Sequence, residues 1–159
     1  MFRNNTALYG AGLCINDHNH HMRVVSSSFL SNPSTTYGGG VYIFDSNEHA
    51  TFDNCTFADN SVMLGSGGGL SVYKNNYDVS FVSCTFRNNL ALRGGALSMY
   101  GNNRRTSFEF CHFEQNVAME DGGAIELDND NWYLQFVSCA FIGNYASDDG
   151  GALYMFSKV

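Results

Sequence analysis

The sequence predicts an all-β chain wound as a single right-handed parallel β-helix, about six coils of 27–29 residues each. Three observations carry this reading. The pattern Phe-x-x-Asn occurs six times, at Phe2/Asn5, Phe29/Asn32, Phe57/Asn60, Phe86/Asn89, Phe113/Asn116 and Phe141/Asn144, with successive phenylalanines 27, 28, 29, 27 and 28 residues apart. Eight to ten residues after each Phe comes a small-residue tetrad ending in an aliphatic, from Gly10-Ala11-Gly12-Leu13 to Gly150-Gly151-Ala152-Leu153. Within each copy the apolar residues alternate with a period of two, the signature of strands.

Composition agrees. Of 159 residues, 44% are hydrophobic and only 14% charged, against about 25% charged in an average soluble protein. The 17 glycines, 13 phenylalanines and 9 tyrosines favour strands and turns over helices. A net charge of −7 argues against a nucleic-acid groove or an anionic membrane surface, which need clustered Lys and Arg. No apolar run reaches the ~18 residues of a membrane-spanning helix, so no membrane insertion by this segment is expected.

The elements follow in order along a coil. In the strand after the glycines, Leu13/Ile15, Val41/Ile43, Leu70/Val72, Leu97/Met99, Ile125/Leu127 and Leu153/Met155 should face a core. The intervening Cys14, Tyr42, Ser71, Ser98, Glu126 and Tyr154 should face water. A second strand ends in Phe-x-x-Cys-x-Phe, as in Phe81/Cys84/Phe86, with its Cys and last Phe inward and a bend between the first Phe and the Cys. Segments rich in Asn, Asp and Ser, such as Asp45-Ser46-Asn47-Glu48 and Asp128-Asn129-Asp130-Asn131, read as exposed turns. They and the Asn-to-Gly stretch should absorb the spread in repeat length. A strand pair this small buries its apolar face only by stacking on the next copy. Six coils at roughly 4.8 Å each make a rod about 30 Å long. A propeller blade needs about 40 residues, too many for this repeat.

The linked motifs, best formed in Phe86-Arg-Asn-Asn89 with Gly94-Gly-Ala-Leu97 and Phe113-Glu-Gln-Asn116 with Gly122-Gly-Ala-Ile125, resemble the repeats of chlamydial-type polymorphic outer-membrane proteins, within the pectin-lyase-like β-helix superfamily. The resemblance implies an extracellular or cell-surface passenger segment with an adhesive role. It also implies that residues 1–159 are one β-helix domain taken from a longer solenoid, without its caps. Uncapped ends would expose strand edges, so end-to-end self-association is a further expectation.

Candidate sites are few. The six asparagines of Phe-x-x-Asn are expected to stack as a structural ladder at one corner. Cys55, Cys84, Cys111 and Cys139, spaced 29, 27 and 28 residues apart, should form a buried column, either as free thiols or with one or two disulfides. Cys14 breaks this pattern and falls at an outward position. His18, His20 and His21 are weak candidates for a Zn²⁺ or Ni²⁺ site, and Asp128-Asn129-Asp130 for Ca²⁺. No cofactor is expected. Glu120-Asp121 and Asp148-Asp149 stack as carboxylate pairs but lack an obvious basic partner, so no catalysis is expected. The chain therefore reads as a non-catalytic structural or adhesive section whose partner is a protein or glycan. Its binding face would use Tyr42, Tyr73, Tyr77, Trp132, Tyr133 and Tyr154. The alternatives are a fragment of a carbohydrate-active enzyme and a self-assembling structural solenoid.

Overall fold

Four parallel sheets run side by side through the computed structural model, which describes residues 1–156. Sheet A stacks Phe2–Arg3, Ser28–Leu30, Thr56–Ala58, Thr85–Arg87, His112–Glu114 and Ala140–Ile142. Sheet B stacks Ala7–Tyr9, Pro33–Tyr37, Ser61–Val62, Leu90–Ala91, Val117–Ala118 and Tyr145–Ala146. Sheet C takes Leu13–Ile15, Val41–Ile43, Leu70–Tyr73, Leu97–Tyr100, Ile125–Asp128 and Leu153–Phe156. Sheet D has Arg23–Val25, Thr51–Asp53, Ser80–Val82, Arg104–Glu109 and Trp132–Val137. The chain visits A, B, C and D in turn and then starts the next coil, so every strand pairs with its own counterpart one repeat away. The result is a parallel β-helix of six coils.

The corners explain the composition. Each is turned by a residue with φ between 45° and 74°, a region that Gly enters freely and Asn and Asp more readily than most other residues. Left-handed residues precede each Phe-x-x-Asn asparagine at the A–B corner (Asn4, Ser31, Asp59, Asn88, Gln115 and Gly143). Another set, Ser26, Asn54, Ser83, Phe110 and Ser138, makes the predicted bend at the D–A corner. At the B–C corner the first glycine of each tetrad is left-handed and the second has a different purpose. Gly39, Gly68, Gly95 and Gly123 lie so close to carbonyl oxygens of the adjoining coil that no Cβ fits. The first coil carries Ala11 at that place, and there the pairing of Ala7–Tyr9 with Pro33–Tyr37 shifts register.

The core is two aromatic columns. Phe2, Phe29, Phe57, Phe86, Phe113 and Phe141 stack with ring centroids 4.7, 5.0, 4.5, 4.9 and 4.8 Å apart. Phe52, Phe81, Phe108 and Phe136 stack at 5.1, 4.8 and 5.0 Å. Register forces this: the spacing is that of neighbouring strands, and face-to-face rings fill it.

Two expectations need correction. The Asn-rich turns between sheets C and D do not vary in length. From Leu13, Val41, Leu70, Leu97 and Ile125 it is six residues to Asn19, Asn47, Asn76, Asn103 and Asn131, and ten more to the next Phe. All the spread lies between the Phe-x-x-Asn asparagine and the aliphatic of the tetrad, which are 8, 9, 10, 8, 9 and 9 residues apart. That stretch is free to bulge, as exposed Met63 and Leu64 in the longest copy show, whereas the turn into sheet D is held by side chains. Nor do the outward positions of sheet C all face water. Tyr42, Ser71, Ser98 and Glu126 are buried, because the residue just before each tetrad flanks that face.

Candidate functional site

Two asparagine sets form hydrogen-bonded ladders along the coil axis. Asn89 shows the pattern: its Nδ2 donates to Phe57 O at 2.9 Å and to Asn116 Oδ1 at 2.9 Å, while its Oδ1 accepts from Asn60 N at 3.1 Å and Asn60 Nδ2 at 3.0 Å. Asn5, Asn32, Asn60, Asn116 and Asn144 continue the same chain of bonds. A second ladder, which the sequence reading missed, runs through Asn19, Asn47, Asn76, Asn103 and Asn131 at the C–D corner. Its signal was the fixed six-residue offset from the tetrad aliphatic.

The cysteine column lies between the two Phe columns, next to Thr56, Thr85, His112 and Ala140, which pair in register. Cys55, Cys84 and Cys111 are buried, Cys139 is partly buried, and all are free thiols. Cys84 Sγ lies 3.4 Å from both Phe52 O and Val82 O. Hydrogen bonding with Cys111 and Cys55, and then burial, pushes the Cys84 thiol up. Largely exposed Cys14 lies on the outer face of sheet C, its thiol also pushed up by partial burial.

The histidines are drawn apart by the stacking. His20 Nδ1 faces Glu48 at 3.4 Å, and the His21 ring stacks on His49 at 4.8 Å. Among the described residues no group of three His, Cys, Asp or Glu side chains is placed to hold a metal ion. Of the carboxylate pairs, Glu120 is bound by Arg93 at 2.6 Å and Asp121 Oδ1 accepts Asp149 N at 3.1 Å. In the proposed Ca²⁺ turn, Asn131 belongs to the second ladder, and Asp128 Oδ1 is buried without a hydrogen-bond partner among the described residues.

A groove remains, running along the outer face of sheet C. One wall is the residue before each tetrad: Tyr9, Tyr37, Ser66, Arg93, Asp121 and Asp149. Its floor is the outward column of Cys14, Tyr42, Ser71, Ser98, Glu126 and Tyr154. The first half is aromatic. Tyr42 lies 5.6 Å from Tyr9, 5.8 Å from Tyr37, 5.8 Å from Phe44 and 6.3 Å from Tyr73, and Tyr100 stacks on Tyr73 at 5.0 Å. Burial first, then the neighbouring Tyr73 and Tyr37, pushes the Tyr42 hydroxyl well above its ordinary range. Tyr9, Tyr37, Tyr42, Phe44 and Tyr73 line a hollow of about 450 Å³, with the Lys74 ammonium 5.1 Å from the Tyr73 ring centroid and Tyr100 just outside it. Of the aromatics expected at a binding face, Tyr42 and Tyr73 are here. Tyr77, Trp132 and Tyr133 stand at the start of sheet D instead. Tyr9, Tyr37, Phe44 and Tyr100 were missed.

The second half is acidic. Glu126 is 5% exposed, takes a hydrogen bond from Ser98 Oγ at 3.0 Å, and is pushed up by burial to about 6. A carboxyl raised in the folded state favours folding most when protonated. Its contribution is therefore complete below its ordinary value of 4.5 and is lost as pH rises through about 6, roughly 2 kcal/mol in all. Glu126→Gln should match the parent in urea unfolding at pH 4 and exceed it by roughly 2 kcal/mol at pH 7. Equal stability of the two proteins at pH 7 would refute this account of the site.

No curated protein matches the chain. A family model described as a right-handed β-helix region matches residues 1–155. With its parallel coils and the corner ladders that hold them in register, the chain belongs to the right-handed β-helix family.

Proposed function

We propose that this chain is a non-catalytic section of an extracellular or cell-surface β-helix, and that the groove over sheet C binds a glycan. The observation that carries the reading is the aromatic half of that groove. Tyr37, Tyr42, Phe44 and Tyr73 line an open hollow of about 450 Å³ beside Asn16 and Lys74, within the usual size range of small-ligand sites. Flat rings flanked by amide and amine donors suit the C–H faces and hydroxyls of a sugar. The groove runs along the coil axis, a direction suited to an extended chain. The resemblance of the Phe-x-x-Asn and Gly-Gly-Ala repeats to polymorphic outer-membrane proteins supports the adhesive role and the surface location.

The competing reading, a carbohydrate-active enzyme fragment, has one observation in its favour. Glu126, protonated near pH 6, shares the groove with Asp121 and Arg93, and a carboxylic acid so tuned is the form of a general acid. One experiment addresses both readings. The purified chain is screened against an oligosaccharide panel and the best ligand titrated into the parent, Tyr73→Ala and Tyr100→Ala. Binding at least tenfold weaker in both variants, with unchanged circular dichroism and the glycan intact after incubation, is the expected result. No binding, or binding indifferent to both substitutions, overturns the adhesive reading. Cleavage that disappears in Glu126→Gln transfers the site to the enzyme reading.

A further inference from the structure

At the start of sheet D a second surface is assembled by register alone. His20, Glu48, Tyr77, Arg104 and Trp132 stack in one column. The next residue in each coil, His21, His49, Asp78, Arg105 and Tyr133, is left-handed, with φ of 56°, 55°, 54°, 54° and 56°. The two arginines have different surroundings. Arg105 is neutralised, its Nε 2.6 Å from Asp78 Oδ1 and its Nη2 2.8 Å from Asp78 Oδ2, and its guanidinium lies 4.0 Å from the Tyr77 ring centroid. His49 Nδ1 also faces Asp78, at 3.3 Å. Arg104 has no carboxylate partner among the described residues, and the nearby Glu48 is turned to His20.

Arg104 borders a hollow of about 570 Å³, with Tyr77 and Tyr133 as aromatic walls, Thr106, Ser107 and Gln135 as polar lining, and the paired Asp78 and Arg105 at its edge. Tyr133 is 81% exposed and occupies a left-handed position that bulky side chains enter at a cost. A second hollow, of about 450 Å³, also borders Arg104 and is lined by Glu48, Asn75, Tyr77 and Asn102. A free guanidinium in a chain of net charge −7, set between aromatic walls and hydroxyl and amide groups, is a recognition set for an anionic ring ligand. The guanidinium fork pairs with a carboxylate or sulfate, the rings face the sugar, and Ser107 and Gln135 meet its hydroxyls.

We propose that the hollow at Arg104 is a second binding site, separate from the groove over sheet C, which takes a saccharide bearing a carboxylate or sulfate group. The locked Asp78–Arg105 pair keeps Tyr77 in place as one wall and leaves Arg104 as the cation that meets the ligand.

Calorimetric titration with a uronate-containing disaccharide, a sulfated disaccharide, the uronate disaccharide with its carboxylate reduced to an alcohol, and an acidic peptide tests the proposal. The parent should bind one or both acidic sugars at least tenfold more tightly than the reduced sugar and the peptide, and the affinity should fall with added salt. The stronger of the two acidic sugars identifies the anionic group. Arg104→Gln should lose at least tenfold and Tyr133→Ala should weaken binding, with thermal melting near the parent's. Tyr73→Ala, in the other groove, should bind like the parent, which separates this site from the one proposed above. Equal binding of the reduced sugar, equal or tighter binding of the peptide, indifference to Arg104→Gln, or no binding of any acidic sugar would each overturn it.

Discussion

Gly95→Ala is expected to be strongly destabilising, although it adds a single methyl group. A Cβ at Gly95 would fall inside van der Waals contact of Gly123 O, 2.5 Å from Val117 O and 2.7 Å from the Val117 carbonyl carbon. All of these are backbone atoms of the next coil, and Gly95 N is itself bonded to Gly122 O at 3.1 Å. No side chain can rotate out of the way, and the coils cannot separate locally without stretching the ladders of sheets B and C. The expected loss is about 3 kcal/mol or more, at the upper end for overpacking. The natural control is Gly69→Ala. Its added Cβ meets Ala96 O at 2.8 Å and the Asn89 side chain at 3.3 Å, and Ala96, Ala124 and Ala152 already occupy that place in other coils. Gly69→Ala should therefore lose clearly less than Gly95→Ala in denaturant unfolding. A Gly95→Ala protein that melts with the parent would show that the coil spacing is softer than the stacked backbone implies.

Asn89→Ala should cost about 3 kcal/mol. Losing the amide strips Asn60 N of its partner in a fully buried corner, and removes one bond each from Phe57 O, Asn60 Nδ2 and Asn116 Oδ1. Each orphaned backbone group costs about 1–3 kcal/mol. Asn89→Asp separates the two halves of the amide. The carboxyl still accepts from Asn60, but when ionised it faces Phe57 O and Asn116 Oδ1, so this variant should be weaker at pH 7 than at pH 4. Unfolding curves at both pH values read the two effects. An unchanged midpoint for Asn89→Ala would mean the ladder follows the coil rather than holding it.

The first ladder was legible because its asparagines sit three residues after a regularly recurring Phe, and paired motifs at one period are hard to mistake. The second was hidden by its company. Asn47 lies in Asp45-Ser46-Asn47-Glu48 and Asn131 in Asp128-Asn129-Asp130-Asn131, segments with the composition of a solvated turn. Their neighbours are polar because left-handed residues such as Ser46, Asn75 and Asp130 must turn the corner, while the ladder residue itself points inward. The outward column of sheet C misled for a different reason. Alternation along a strand says which side of the sheet a residue occupies, not whether that side is covered. Tyr37 and Arg93 flank that side, and their approach to Tyr42 and Glu126 depends on the angle of the B–C corner.

What the sequence determined by itself is the coil: its period, the strand after each tetrad and the bent Phe-x-x-Cys-x-Phe segment, the inward Phe and Cys columns and one asparagine ladder, whereas the strands of sheet B were not foreseen. These are translational facts, repeated every 27–29 residues, and parallel in-register pairing converts each recurrence directly into a contact. The tertiary structure alone decided which unlike residues meet around one coil and across neighbouring coils. It brought Tyr37 within 5.4 Å of Tyr73, locked Arg105 onto Asp78 while leaving Arg104 beside Tyr133, and buried Glu126 on a face that alternation assigns to water. Stacking equal positions follows from the repeat, but the corners fix how one sheet is angled to the next, and the groove and the hollow are both made at such corners.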